Sequence, residues 1–134
     1  KVVTDLERIG DHASDIAELI LRIKSEHAYH IVKHLPVMAA SANAMVHDAI
    51  EAFINQDLDS AMEIIERDDE VDTLFNQVKD DVIHLLKSSP DQADQGIDLL
   101  MVAKYLERIG DHAVNVCEWT QFSKTGALKN VRIM

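Results

Sequence analysis

Leu6-Glu7-Arg8-Ile9-Gly10-Asp11-His12-Ala13 recurs letter for letter at Leu106 to Ala113. With about 20 residue types, a chance match of that length within one short chain is negligible, so the chain contains an internal duplication. Val2 matches Val102, Glu18 matches Glu118, and Ile16 answers Val116. A repeat unit of about this offset assigns residues 1–28 to the end of a truncated first repeat. Residues 29–134 are then a complete second repeat.

Within the second repeat, apolar residues step by threes and fours, which is the spacing of one helix face. Pro36, tolerated in a first helical turn, opens a helix through Leu35, Met38, Ala42, Met45, Ala49 and Phe53. Asp57 or Asp59 can cap a second helix through Ile64, Val71, Phe75, Val78, Val82 and Leu85 to Pro90. Val102, Leu106, Ile109, Ala113 and Val116 carry a third toward Gly126, a natural helix stop. The first repeat's helix has the same stripe at Val2, Leu6, Ile9, Ala13, Ile16, Ile20 and Ile23. Short connections force neighbouring helices to alternate in direction. The expected fold is all-α: an up-and-down three-helix bundle plus one extra helix, which packs on the bundle or pairs with another copy.

Composition supports this reading. Aromatics are 4% of the chain and there are four glycines, too few aromatic strands and turns for a β-sandwich or barrel. A formal charge of −11 disfavours nucleic acid and anionic membrane surfaces. The longest clean apolar run, Leu99 to Ala103, falls far short of a membrane span, so no direct membrane insertion is expected. One cysteine, Cys117, excludes an internal disulfide and fits a reducing compartment. The chain opens on Lys1 without a signal peptide, which reads as a fragment.

The acidic residues are the chemical signal. Glu7 and Asp11 lie one helical turn apart, as do Glu107 and Asp111, and a helical wheel turns both pairs away from their own apolar stripe. Like charges at this spacing repel, and the plain reading is a solvated face relieved by Arg8 and Arg108. The unchanged octet weighs against that reading. So do Gly10 and Gly110, since glycine in a helix costs about 1 kcal/mol against alanine and points to a close approach by a helix or ligand. On the second helix Asp68 falls near the apolar stripe and Asp72 at its edge. A carboxylate there needs an arginine, helix-end amides or a cation. Clustered carboxylates with few histidines suit Mg, Mn, Ca or oxygen-ligated iron.

Other groups signal less. His12 and His112 adjoin the acidic pairs and read equally as ligands or surface histidines. His27, His30 and His34 straddle the loop expected before Pro36, and Asp81-x-x-His84 is a single, poor relative of a di-iron motif. No phosphate loop, Ser-His-Asp or Cys-His signature is present, so no catalytic residue is expected. Cys117 reads as a small buried hydrophobe.

The repeated Leu-Glu-Arg-Ile-Gly-Asp-His-Ala strongly resembles the PhoU family of phosphate-uptake regulators. Ala61 to Leu74, with Ile-Glu-Arg-Asp-Asp-Glu-Val-Asp-Thr-Leu, is similar to that family's second-helix motif, and Asn115 to Gly126 to its usual C-terminal end. Family members are two tandem three-helix bundles, and the resemblance spans the whole chain. It implies metal sites for iron, Zn, Mn or Mg at Glu107 and Asp111, Asp68 and Asp72, and Glu7 and Asp11. The partners of Glu7 and Asp11 lie in helices that the chain lacks. It further implies a cytoplasmic, homodimeric negative regulator of phosphate-starvation signalling, without enzymatic activity. Its partners would be the phosphate ABC transporter and a sensor histidine kinase. The alternatives are a PhoU-like cytoplasmic domain of a sodium/phosphate cotransporter and a carboxylate-bridged metalloenzyme, the latter disfavoured by the few histidines.

Overall fold

The computed structural model describes the backbone of residues 1–133 and the side chains of residues 1–125. Helix α1 (Val2–Arg22) ends where Ile23 turns extended. Ser25 then caps the six-residue α2 (Glu26–Ile31) by accepting from the Ala28 amide at 3.1 Å. Helix α3 (Leu35–Asn55) begins with Pro36 in its first turn and stops at Gln56, which adopts the left-handed conformation. Asp57 caps α4 (Leu58–Glu66), accepting from the Ser60 amide and hydroxyl at 3.1 and 2.7 Å. Arg67 separates α4 from α5 (Asp68–Ser88), and a 3-10 turn at Pro90–Gln92 leads into α6 (Ala93–Ile133).

Helices α3, α4–α5 and α6 form the three-helix unit, and no strand occurs among the described residues. Met38 and Met45 from α3, Ile64 from α4, Val71, Val78, Val82 and Leu85 from α5, and Leu99 and Val116 from α6 are fully buried between them. Three sequence expectations need correction. The single helix expected over 57–88 is broken at Arg67. A short helix occupies the loop expected before Pro36. The last helix passes through Gly126 instead of stopping there.

Helix α1 lies along α6 and is tied to it at both ends. Near its start Asp5, almost fully buried, accepts from the His112 ring at 2.9 Å and the Asn115 amide at 3.1 Å. At its end Arg22 pairs with Asp98 at 2.9 Å, and Gln95 accepts from the Lys24 and Ser25 amides at 2.9 and 2.6 Å. The expectation that α1 packs on the three-helix unit therefore holds. The face it uses is rotated from the expected one: Val2, Ile9, Ile16 and Ile23 of the apolar stripe lose exposure together with Asp5, His12 and Leu19, while Leu6, Ala13 and Ile20 stay exposed.

The two copies of the octet consequently sit in different surroundings. Leu106 is 7% exposed, and Ile109 and Ala113 are buried, because α3 and α4–α5 cover that side of α6. Leu6 is 37% exposed and Ala13 also faces water. Between α1 and α3 an apolar groove remains open, lined by Ile9, Ile16, Ile20 and Ala39 with Leu106 at its floor.

Candidate metal centre

Gly110 is where α5 and α6 approach. A Cβ at this position would stand 3.7 Å from both Asp68 Oδ1 and Val71 Cγ1, ordinary contact distance. Gly10, its counterpart in α1, has nothing within 4 Å. Gly10→Ala is therefore expected to raise stability by about 1 kcal/mol through helix propensity alone. Gly110→Ala should gain less, since its methyl lies against a carboxylate oxygen. Thermal melts of the two variants side by side check the difference.

The approach at Gly110 brings the start of α5 against the middle of α6 and sets Asp68 and Asp72 beside Glu107 and Asp111. Asp68 Oδ1 is buried and has no hydrogen-bond partner. Burial, followed by the charges of Asp72, Asp111, Asp69 and Glu107, pushes the Asp68 pKa up to about 6. Asp72 is raised by partial desolvation and by Glu107 and Asp69, with Lys104 opposing. Asp111 keeps an exposed face, yet the atoms crowded around it and the charges of Glu107 and Asp72 raise its pKa as well, against the pull of His112 and Lys104. The arginine alternative for Asp68 fails, because Arg67 is engaged by Asp48 at 2.7 Å and Glu63 at 3.9 Å.

Glu107 corrects the helical wheel. Its side chain is only 19% exposed and faces its neighbours, with Lys104 Nζ donating to Oε1 at 2.7 Å. The wheel located it relative to α6's own stripe and took no account of where α5 begins. Lys104 drew no notice in the sequence, although a lysine three residues before a glutamate on one helix is a recognisable ion-pair spacing.

Glu7 and Asp11 are exposed on α1, where Arg8 stands 3.6 Å from Asp11. Among the described residues, no second pair of carboxylates closes on them. His12 and His112 lie on the α1–α6 seam, their rings 5.6 Å apart and stacked. His112 is held by Asp5, while His12 Nδ1 is buried without a partner and its pKa is lowered by burial and by the positive charge of His112 and Arg108. His27 meets Ser89 at 3.1 Å, and Asp81 accepts from the ring and backbone of His34 at 2.7 and 3.1 Å. These contacts hold α2 and the turn after it to α5, so the histidines do not converge. Cys117 is buried, and burial pushes its thiol up to about 11, which makes it the inert hydrophobe expected.

The four carboxylates of α5 and α6 share one neighbourhood without closing on one point. Among the described residues, the three potential ligands whose donor atoms all lie within 4.8 Å are instead His47, Asp48 and Glu51 on α3. Those are solvent-facing, and Asp48 is already bound to Arg67. The α5–α6 group is the better fit to a cation on chemical grounds. It supplies oxygen donors only, mutually repelling, with one buried oxygen unsatisfied.

Comparison with known proteins agrees with the helical fold. A PhoU domain is matched over residues 35–120. The "Phosphate-specific transport system accessory protein PhoU homolog" of Clostridium acetobutylicum is 41% identical over 126 residues, covering 94% of this chain and 58% of that protein. The homolog 1 of Thermotoga maritima is 34% identical, covering 98% of this chain and 56% of the relative. The crystal structure of PhoU from Pseudomonas aeruginosa superposes with a TM-score of 0.83 at 30% identity, over 94% of this chain and 61% of that one. The chain thus spans a little over half the length of the curated relatives it matches. Their names describe accessory proteins of transport, not enzymes.

Proposed function

Since this chain belongs to the PhoU family, we propose that it is part of a metal-binding regulator of phosphate uptake that represses phosphate-starvation signalling through protein–protein contacts. Residues 1–28 close the first repeat of this regulator and residues 29–134 form the second. Its partners are the phosphate ABC transporter and a sensor histidine kinase, it works in the cytoplasm, and it is a homodimer. No helix among the described residues is long and apolar enough to cross a membrane, which is consistent with this role.

The observation that carries the metal reading is the buried, unpartnered Asp68 Oδ1 amid three further carboxylates. Asp68 and Asp72 from α5, with Glu107 and Asp111 from α6, would hold iron, Zn, Mn or Mg. The bound cation would supply positive charge that neutralises their repulsion and fixes the start of α5 against α6. Glu7 and Asp11 would serve an equivalent site with carboxylates of the first repeat.

Glu107→Ala with Asp111→Ala tests the proposal in the full-length protein. The double variant removes two mutually repelling charges but also the Lys104–Glu107 pair, so metal-free stability should change little. Phosphate-dependent repression of a starvation-responsive reporter should be lost at near-normal protein levels. Repression at the wild-type level would mean that Glu107 and Asp111 play no part in regulation.

A further inference from the structure

We propose that Lys104 is the built-in competitor of the metal: its ammonium group neutralises the α5–α6 carboxylates in the metal-free protein, and a metal ion binds by displacing it. This inference rests on the reading of Asp68, Asp72, Glu107 and Asp111 as a cation site and concerns how that site is controlled.

Three observations support it. Lys104 Nζ donates to Glu107 Oε1 at 2.7 Å, so one of the four carboxylates is already committed to a cation. The same ammonium acts favourably on Asp72 and Asp111, on both helices. Its seat is also built for it: Nζ lies 5.5 Å from the centre of the Phe75 ring on α5, a cation–π position. The side chain nevertheless remains 43% exposed, so it has room to swing into water when a divalent ion arrives.

The duplication supplies an internal contrast. The residue three before Glu107 is Lys104, and the residue three before Glu7 is Thr4. The first repeat's acidic pair therefore has no lysine at this spacing, and the two sites of a full-length protein would differ in the cost of metal entry. Lysine suits the role because it is a compact point charge on a flexible stem, readily moved between a carboxylate and solvent.

Lys104→Met keeps a long apolar stem against Phe75 and removes the charge, while Lys104→Arg keeps the charge. Titration calorimetry with MnCl2 should show Lys104→Met binding about tenfold tighter than wild type, a figure that allows for solvent screening of a half-exposed charge. Lys104→Arg should stay close to wild type, and Asp68→Asn/Glu107→Gln should abolish the heat in every background. In wild type, Mn2+ should also speed acetylation of Lys104 by a lysine-directed reagent, a change that a purely structural lysine would not show.

Equal or weaker Mn2+ binding by Lys104→Met, with binding still dependent on Asp68 and Glu107, would overturn the competitor role and leave the site reading standing. Binding by Lys104→Met alone, wild type being silent, would support it, since the lysine then blocks entry fully. Absence of Asp68- and Glu107-dependent binding in all variants would remove the site and this inference together.

Discussion

Mn2+ at about a hundredfold excess over its Kd should raise the melting temperature of the chain at neutral pH by roughly 10 °C. The ligand-linked stabilisation is about 2.7 kcal/mol, and a domain of this size gains a few degrees per kcal/mol. Asp68→Asn/Glu107→Gln should erase the shift. Its pH dependence is set by Asp68. The folded pKa of about 6 lies above the unfolded value of 3.8, so the folded state binds the extra proton between those limits. Metal-free stability should therefore fall as pH rises from about 4 to 6, by about 1–3 kcal/mol. The metal-induced shift should run the other way. A metal must expel that proton, so the shift fades below pH 6, well above the range near 4 where ordinary carboxylates titrate. Equal metal shifts in the variant and wild type, or a shift that persists unchanged to pH 4.5, would sink the assignment of Asp68 as a ligand.

Removal of residues 1–24 should be the most damaging single change to the fold. It removes the buried Ile23 together with Ile16 and Leu19, the side chains that α1 and its end pack against the core. It also leaves His112 and Asn115 without Asp5, Asp98 without Arg22, and Gln95 without the Lys24 amide. Apolar burial alone at about 25 cal/mol per Å2 amounts to several kcal/mol, and the lost polar contacts add to it. The melting temperature should fall by more than about 10 °C, or the exposed side of α6 should drive the shortened chain to self-associate. A monomer of unchanged melting temperature, shown by light scattering, would mean that α1 contributes nothing.

The long helices were legible because their apolar residues keep one period over five or six turns. The break at Arg67 was not, since arginine and aspartate are compatible with a continuous helix and nothing in the pattern marks an interruption. The six residues of α2 are too few for a period to emerge. At the candidate site the residue types and spacings were readable, and so was the nearness of Asp68 to the core. The inward position of Glu107 was not, because it depends on the close approach at Gly110 between two helices some forty residues apart in the chain. The face of α1 was only partly legible for a related reason: apolar residues were counted, while the interface includes Asp5 and His12, polar side chains whose neighbours belong to α6.

Leu6 to Ala13 and Leu106 to Ala113 are chemically the same peptide. Their intrinsic backbone exchange chemistry is therefore closely matched, and helical hydrogen bonding is common to both. Differences in how fast their amides exchange with heavy water report tertiary cover and position in the helix, with side-chain identity cancelled. The copy on α6, buried in the core, should open only with the bundle, while the copy on α1 should open with its own seam. Comparing the two would separate the strength of the seam from that of the core within one molecule and one experiment, without a substitution to perturb either.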